Sequence, residues 1–481
     1  MNSFAELIAW RATETPTALF AIDEQGRSLT FAEFSKSVAR TASAFRDRGV
    51  KEGSVVSWTL PTRIDSMILA AALSHLGAVQ NLILPAYRER ELGFILRQVN
   101  PQLVIVPGVY RGYDYAQAVK PLAKEVLVLD GALPESDGAV PAKSGRWIFY
   151  TSGTTSDPKG VKHIDRSLMA GARGMALALG LAQGDRHAIV FPFTHVGGPL
   201  WLAAGLFAGA TQLVVERWDP AATISFLGRE GVTHAGAGTV FHQAYLQAQR
   251  QHADRPIFPW VRAFPGGGAP KPPGLFHDLK RELGGAGIIS GYGLTECPVI
   301  SMNRIGDSDE KLAHSEGRPN PIDAQIRIVD GEVRVRGPQL FAGYMDRSID
   351  RAAFDEDGFF RTGDLGALDS EGHLTITGRL KDVIIRKGEN ISAKEIEDLL
   401  YQHPSVADVA VVGLPDDKMG ERVCAVVVAK SSLELSAIVA FLRERGLMTQ
   451  KLPEQLETVE VLPRNATGKI DKRALRTRFG S

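Results

Sequence analysis

Helix and strand signals alternate along the first three hundred residues, and this alternation limits the possible folds more than any other property of the chain. Thr30 and Glu33 have the spacing of a helix capping box ahead of Phe34, Val38 and Phe45, and Gly49 is placed to end that helix. Strand character follows at 55–59, helix character at 65–76, and a second helix at 90–100 that Pro101 stops. Residues 103–106 and 126–129 are short, β-rich apolar runs, and the same pattern repeats to about residue 300. Such alternation predicts an α/β sheet with helices on both faces. At 481 residues the chain is too long for one core.

The pattern changes near residue 320. Residues 324–329 and 332–336 are period-two strands joined across Asp330-Gly331, which predicts a hairpin within a small β subdomain ending near 375–377. Beyond residue 381 a smaller module begins. Ser392 and Glu395 have capping-box spacing, Ile396, Leu399 and Leu400 form an apolar face, 406–412 and 422–429 read as strands, and 436–445 as a helix closed by Gly446. The expected architecture is therefore α/β. A large N-terminal domain, residues 1–380, contains two α/β sheet subdomains and a small β-barrel-like subdomain, and a small α+β C-terminal domain spans residues 381–481.

Composition narrows the function classes. Lys+Arg and Asp+Glu are equal at 55 each, so no net field recruits nucleic acid or an anionic membrane. Two cysteines, Cys297 and Cys424, exclude a disulfide framework and fit a reducing, cytoplasmic setting. No His/Cys cluster has zinc-site spacing, the apolar runs 66–79 and 200–215 are short for a membrane span, and the N-terminus reads as an amphipathic helix rather than a signal peptide. The basic last eighteen residues read as a solvated helix face.

Four segments carry chemistry. YTSGTTSDPKG, 150–160, combines small residues, hydroxyls and Lys159 after a short apolar strand, a composition that suits a polyphosphate and equally an ordinary polar turn. GYGLTE, 291–296, places glycines around Tyr292, where a flat ring can approach the backbone, and follows a hydroxyl with a carboxylate suited to phosphate and Mg²⁺. Asp364 in FFRTGDLG suits a ribose diol or a turn. Lys469 stands at the tip of the loop PRNATGKI.

In this order and spacing, the segments resemble those of the adenylate-forming superfamily of acyl-CoA synthetases, firefly-type luciferases and peptide-synthetase adenylation domains, over nearly the whole chain. GGGAP at 266–270, FPFTH at 191–195 and the GRLKD and KGENI segments at 378–382 and 387–391 are similar to further motifs of that family. The resemblance implies roles. Thr151, Ser152, Gly153, Thr154, Thr155 and Lys159 would hold the β- and γ-phosphates of ATP, and Gly267, Gly268, Ala269, Gly291, Tyr292 and Gly293 the adenine. Thr295 would contact the α-phosphate, Glu296 the Mg²⁺, and Asp364 the ribose, with Arg379 beside it. Lys469 would bridge the substrate carboxylate and the α-phosphate. His195, Val196, Gly236, Gly238, Thr239, Gly291 and Val299 would line the acyl pocket. Lys381 would be the hinge of a mobile C-terminal domain, and Lys387, Gly388 and Glu389 would approach coenzyme A. The chain departs from the family's usual pattern at 237–240 and has lysine at the hinge where many members have aspartate.

The implied reaction joins a carboxylic acid to ATP as acyl-AMP with release of pyrophosphate, then transfers the acyl group to CoA. Residues 235–241 are small and apolar, which favours an acid without an amine, and further similarities suggest a medium-chain, alicyclic or aromatic acid. No Gly-Gly-x-Ser carrier motif follows Lys469, so a carrier protein would have to act in trans. A non-catalytic nucleotide-binding scaffold is the alternative of a different class, although Lys469 and Glu296 are both retained.

Overall fold

Strands Lys159–Ile164, Arg146–Thr151, Val79–Leu82, Val55–Trp58, Leu103–Val106 and Val126–Val128 lie side by side in that order in the largest sheet. All neighbours are parallel except the first two, which form an antiparallel hairpin. This computed structural model describes residues 1–151, 158–252, 255–268, 271–387, 389–416, 418–465 and 468–480.

Alternate residues of these strands enter two different cores. Leu103, Ile105, Trp147 and Phe149 pack with helices Ile64–His75 and Phe31–Asp47, whereas Val104, Val106, Ile148 and Tyr150 pack with helix Glu89–Val99. Period-two packing on both faces explains why these strands read as continuous apolar runs. Thr30 and Glu33 make both bonds of the expected capping box. Asn100 leaves helix Glu89–Val99 in a left-handed conformation just before Pro101.

A second sheet runs Arg186–Ile189, Thr211–Val214, Leu19–Asp23, Ser28–Thr30, and a third runs Phe264–Gly267, Ile288–Tyr292, Ser301–Met302, Arg318–Pro319. Single bridges His187↔His234 and His234↔Ala263 link the two. The apolar runs at 66–79 and 200–215 are buried helix and strand pieces of this body. Among the described residues no helix is long and apolar enough to cross a membrane.

The chain packs as two units: Met1–Thr151, Asp157–Gln325 and Val335–Gly358 in the first, Ile326–Arg334 and Phe359–Ser481 in the second. This packing boundary precedes the domain boundary expected at 380/381. Strand Phe360–Leu368 pairs with Leu374–Arg379, and the Ser392 hydroxyl donates to the Thr377 carbonyl at 2.6 Å, which ties that hairpin to the C-terminal residues. Asp330 and Gly331 have φ of 50° and 79°, the pair of positive values that a type I′ turn needs.

In the second unit a five-stranded sheet is covered on one face by helices Ala393–Leu400 and Leu435–Glu444 and on the other by Lys472–Phe479. Two expectations change here. Ser392 caps its helix by accepting from Glu395 N–H, but the Glu395 carboxylate pairs with Lys451 at 2.6 Å instead of closing the box. The C-terminal basic helix is not merely solvated, because Lys472 meets Glu397 at 2.8 Å and Arg476 meets Asp382 at 3.0 Å. Burial raises the Glu397 carboxyl above the usual range, and Lys472 partly offsets this.

Candidate active site

The phosphate-loop candidate joins two strands of one hairpin, in which Thr151 and Lys159 are register partners. Ser152, Gly153, Thr154 and Thr155 lie outside the described residues. Strand Lys159–Ile164 is bonded along its other edge to 342–345: Ala342 N donates to Lys162 O at 2.7 Å, Lys162 N to Gly343 O at 3.0 Å, and Met345 N to Gly160 O at 2.7 Å. That edge brings Tyr344 below Lys159, whose ammonium stands 5.6 Å from the ring centroid. The Tyr344 hydroxyl donates to Glu296 Oε1 at 2.8 Å. Desolvation and then the Glu296 charge push the Tyr344 phenol well above its ordinary value, so it stays a neutral donor.

Glu296 belongs to a tight turn in which Leu294 N and Cys297 N each donate to the other's carbonyl at 3.1 Å, and Phe341 N donates to Glu296 O at 2.8 Å. His163 holds this turn from below. Its Nε2–H donates to the Thr295 carbonyl at 2.7 Å, and Nδ1 lies 2.8 Å from the Ser167 hydroxyl. Burial lowers the His163 imidazole to about 4, so the ring is neutral near pH 7. Hairpin, turn and the 341–345 segment thus form one bonded cluster carrying Lys159, Thr295 and Glu296.

Beside it lies a platform of backbone. Strands Phe264–Gly267 and Ile288–Tyr292 run parallel with Gly267 opposite Gly291, and a Cβ on Gly267 would stand only 2.8 Å from the Gly291 oxygen. A Cβ on Gly293 would meet Val299 N at 2.5 Å, so each glycine is required for its own close backbone approach. Gly268 turns away at φ 77°, and Ala269 lies outside the described residues. Gly238 adjoins the same platform, its Cβ position 3.4 Å from Gly267 O, and Gly236 accepts from the Tyr245 hydroxyl at 2.7 Å. Thr239 opens helix Thr239–Gln251.

His195 is half-buried and Val196 buried ahead of helix Gly197–Ala208, with Gly197 N–H donating to His195 Nδ1 at 3.2 Å. That bond leaves the proton of the neutral ring on Nε2. The His195 helix reaches Val299 through Gly171, whose Cβ position is 3.0 Å from Pro298 O and 3.2 Å from Leu200. The structure therefore links Gly238 to Gly291 through Gly267 and places Val299 against Gly293, while His195 and Val196 precede the helix whose Leu200 lies near Gly171.

The second unit holds the remaining candidates. Asp364 and Arg379 are register partners, and Arg379 Nε donates to the buried Asp364 carboxylate at 2.6 Å. Lys381 lies in the one-turn helix Leu380–Asp382. Lys387, at φ 50°, and Glu389 flank the tip of the hairpin Val383–Arg386/Glu389–Ser392, and Gly388 lies outside the described residues. Lys469 closes a small loop, donating its N–H to Asn465 Oδ1 at 3.0 Å. Arg464 steadies the loop by donating to Gly468 O at 2.8 Å and to Asp408 at 2.6 Å.

Tyr344 and His163 were absent from the sequence-derived site. Only the alternation Lys159-Val161-His163 on one strand face hinted at the histidine. Among the described residues no group of three or more His, Cys, Asp or Glu side chains forms a metal cluster.

Comparison with known proteins matches residues 8–345 to the AMP-binding enzyme family and residues 395–469 to the AMP-binding enzyme C-terminal domain. A medium-chain fatty-acid–CoA ligase of Escherichia coli is 29% identical over 98% of this chain and 90% of its own length. A salicyl-AMP ligase/salicyl-S-ArCP synthetase of Mycobacterium tuberculosis is 30% identical over 94% and 86%. The structure of ATP-bound MatB from Rhodopseudomonas palustris superposes with a TM-score of 0.89 at 26% identity, covering 100% of this chain and 99% of that one. By these matches the chain belongs to the AMP-binding enzymes and is an adenylate-forming ligase.

Proposed function

We propose that the protein is an ATP-dependent carboxylic acid–CoA ligase for a medium-chain, alicyclic or aromatic acid. The observation that carries this reading is the cluster in which Lys159, Thr295 and Glu296 are fixed beside a bare backbone platform, together with a lysine loop in the second unit. The likeness to a medium-chain fatty-acid–CoA ligase along almost the full length of both chains supports CoA as acceptor.

Activation brings two anions together, so the protein's task is charge neutralisation and alignment. The platform at Gly267 and Gly291 admits the adenine, Asp364 takes the ribose diol, and Lys159 with the loop hydroxyls takes the β- and γ-phosphates. Glu296 is held by a neutral phenol rather than by a cation, so its charge is retained for a divalent ion, which fits Mg²⁺. Bound Mg²⁺ would neutralise phosphate charge. Lys469 aligns the carboxylate with the α-phosphate, and pyrophosphate leaves. The acyl carbon is then attacked by the CoA thiol, with Lys387, Gly388 and Glu389 along the pantetheine and AMP as leaving group.

Residues 1–380 and 381–481 are proposed as the moving bodies, with Lys381 as hinge. Lys381→Pro, which fixes φ, should preserve one half-reaction and abolish the other, and unchanged rates of both would move the hinge elsewhere. The function itself is tested by pyrophosphate release over a panel of aromatic, alicyclic and medium-chain acids, followed by thioester formation. Release with no acid would sink the ligase reading for this substrate class. Salicyl-S-ArCP synthetase favours a second reading, transfer to a carrier-protein pantetheine in trans. Thioester with a pantetheinylated carrier but not with CoA would select it.

A further inference from the structure

A site that holds ATP·Mg²⁺ needs a cation for the phosphates and an anion for the metal a short distance apart. Left alone, such a pair closes into a salt bridge and each quenches the other. Here Lys159 and Glu296 form no ion pair, and one side chain stands between them. The Tyr344 ring presents its π-face to the Lys159 ammonium, 5.6 Å from the centroid, and its hydroxyl to Glu296 Oε1 at 2.8 Å.

We infer that Tyr344 is a positioning residue that keeps Lys159 and Glu296 apart and aimed, so that one serves the phosphates and the other the metal. Tyr344 is 5% exposed, and the backbone on either side of it is bonded to Gly160 and Lys162, so the phenol has little freedom to swing away. Tyr344 N–H also donates to Asp350 Oδ1 at 2.8 Å, which fixes the residue from its other neighbour. By anchoring one carboxylate oxygen, the hydroxyl orients the other, as outer-sphere partners do at metal sites. The inference rests on the ATP·Mg²⁺ reading for the identity of the ligands, but its test does not require the acid substrate.

The two halves of the phenol separate experimentally. Tyr344→Phe keeps the ring under Lys159 and removes only the hydroxyl. Equilibrium binding of ATP to the full chain, titrated with Mg²⁺, should then show a half-saturating Mg²⁺ concentration raised about tenfold, with ATP affinity at saturating Mg²⁺ within about twofold of the parent. Tyr344→Leu removes the ring as well, lets Lys159 close on Glu296, and should weaken ATP binding even at saturating Mg²⁺. In a Glu296→Gln background, Tyr344→Phe should no longer alter the Mg²⁺ dependence, because its partner carboxylate is gone. An equal Mg²⁺ shift in both backgrounds, or none in the parent, overturns the inference. If the parent chain binds ATP with Mg²⁺ yet activates no acid, the ligase substrate has failed and the Tyr344 test still stands.

Discussion

The two units differ in the contacts around their candidate site residues. The first unit holds ion pairs, among them Arg262–Asp185, Arg318–Asp307 and Arg63–Glu216, but its buried His163, His187, His234 and His242 are neutral groups with lowered pKa values. Its buried Asp165 accepts from Trp147, Ser74 and the backbone N–H groups of Gly145 and Phe4, with no cation among these donors. The second relies on ion pairs: Arg379–Asp364, Arg464–Asp408, Lys472–Glu397, Arg476–Asp382, Arg386–Glu454 and Lys451–Glu395. A neutral lattice resists salt but fails when acid charges it. Partly exposed ion pairs such as Arg464–Asp408 show the reverse and contribute little each, whereas the more buried Lys472–Glu397 pair costs more to break. The neutral contacts of the first unit should therefore keep their geometry in salt, and the exposed ion pairs inside the second unit should loosen.

The largest effect should come from the second unit's charge. Lys469→Ala should lose about 3 kcal/mol or more of transition-state stabilisation in acyl-AMP formation, more than a hundredfold in rate. Synthetic acyl-AMP should still yield thioester, because the charge serves only the first step. Glu296→Gln in the first unit should instead weaken Mg²⁺-dependent nucleotide binding directly. Equal losses in both half-reactions for Lys469→Ala would erase this division of labour.

Acid should separate the units next. His163 and His242 titrate at about 4 and His187 at about 3, below the ordinary 6.5, chiefly through desolvation. Neither nitrogen of His187 has a hydrogen-bond partner among the described residues, and its ring stacks on Trp201 at 4.9 Å. These folded-state values are depressed, so the unfolded chain binds more protons between pH 6.5 and 4. Stability is then fully present above pH 6.5 and falls as pH drops through that window. Each of these histidines should cost roughly 2 kcal/mol by pH 5. Chemical denaturation at pH 7 and pH 5, followed by hydrogen exchange resolved by unit, should show the first unit losing protection earlier. Loss in the second unit first would break the comparison.

Much of this was legible in the sequence where the cause is local. The turn at Asp330-Gly331, the stop at Pro101 and the capping box at Thr30 each follow from a few adjacent residues, and the structure shows all three. Gly267 and Gly293 fit their motifs because backbone atoms within 3 Å leave no room for a Cβ. What remained hidden depends on distant partners. Tyr344 reaches Glu296 across 48 positions, and only the pairing of 342–345 with strand Lys159–Ile164 brings them together. Glu395 had the spacing of a capping box, but a charged partner 56 positions away, Lys451, competes better than a backbone N–H.

A smaller effect should come from the first unit's acyl wall. Gly238 has φ 142°, so a leucine there would be strained before it met any substrate. Gly236 is the cleaner site, because the nearest atom to an added Cβ is Pro265 O at 3.6 Å, an ordinary contact. Gly236→Ala should change kcat/KM by about 1 kcal/mol between bulky and slender acids while the KM for ATP stays constant. His195→Ala should likewise reorder the acids and not the nucleotide. A raised ATP KM with the acid ranking intact would place the acyl wall elsewhere.

The smallest effect tests the ion-pair side of the comparison at the loop itself. Arg464 and Asp408 are 32% and 24% exposed at their side chains, so their attraction is partly screened. Arg464→Gln should therefore cost about 1 kcal/mol or less of local stability at low salt. In the parent protein, 1 M NaCl should remove most of that contribution, because the Debye length falls to roughly 3 Å. The readout is hydrogen exchange at the amides of Gly468 and Lys469, which donate to the Asn465 backbone carbonyl and to Asn465 Oδ1 respectively. Both amides should exchange faster in the variant, and faster in the parent as salt rises. The amides of His163 and His242 should not respond to salt, since among the described residues no ion pair holds either side chain. Salt-independent exchange at Lys469 would mean that hydrogen bonds within the loop, not the Arg464 pair, hold the lysine in place, and the two units would then be built alike.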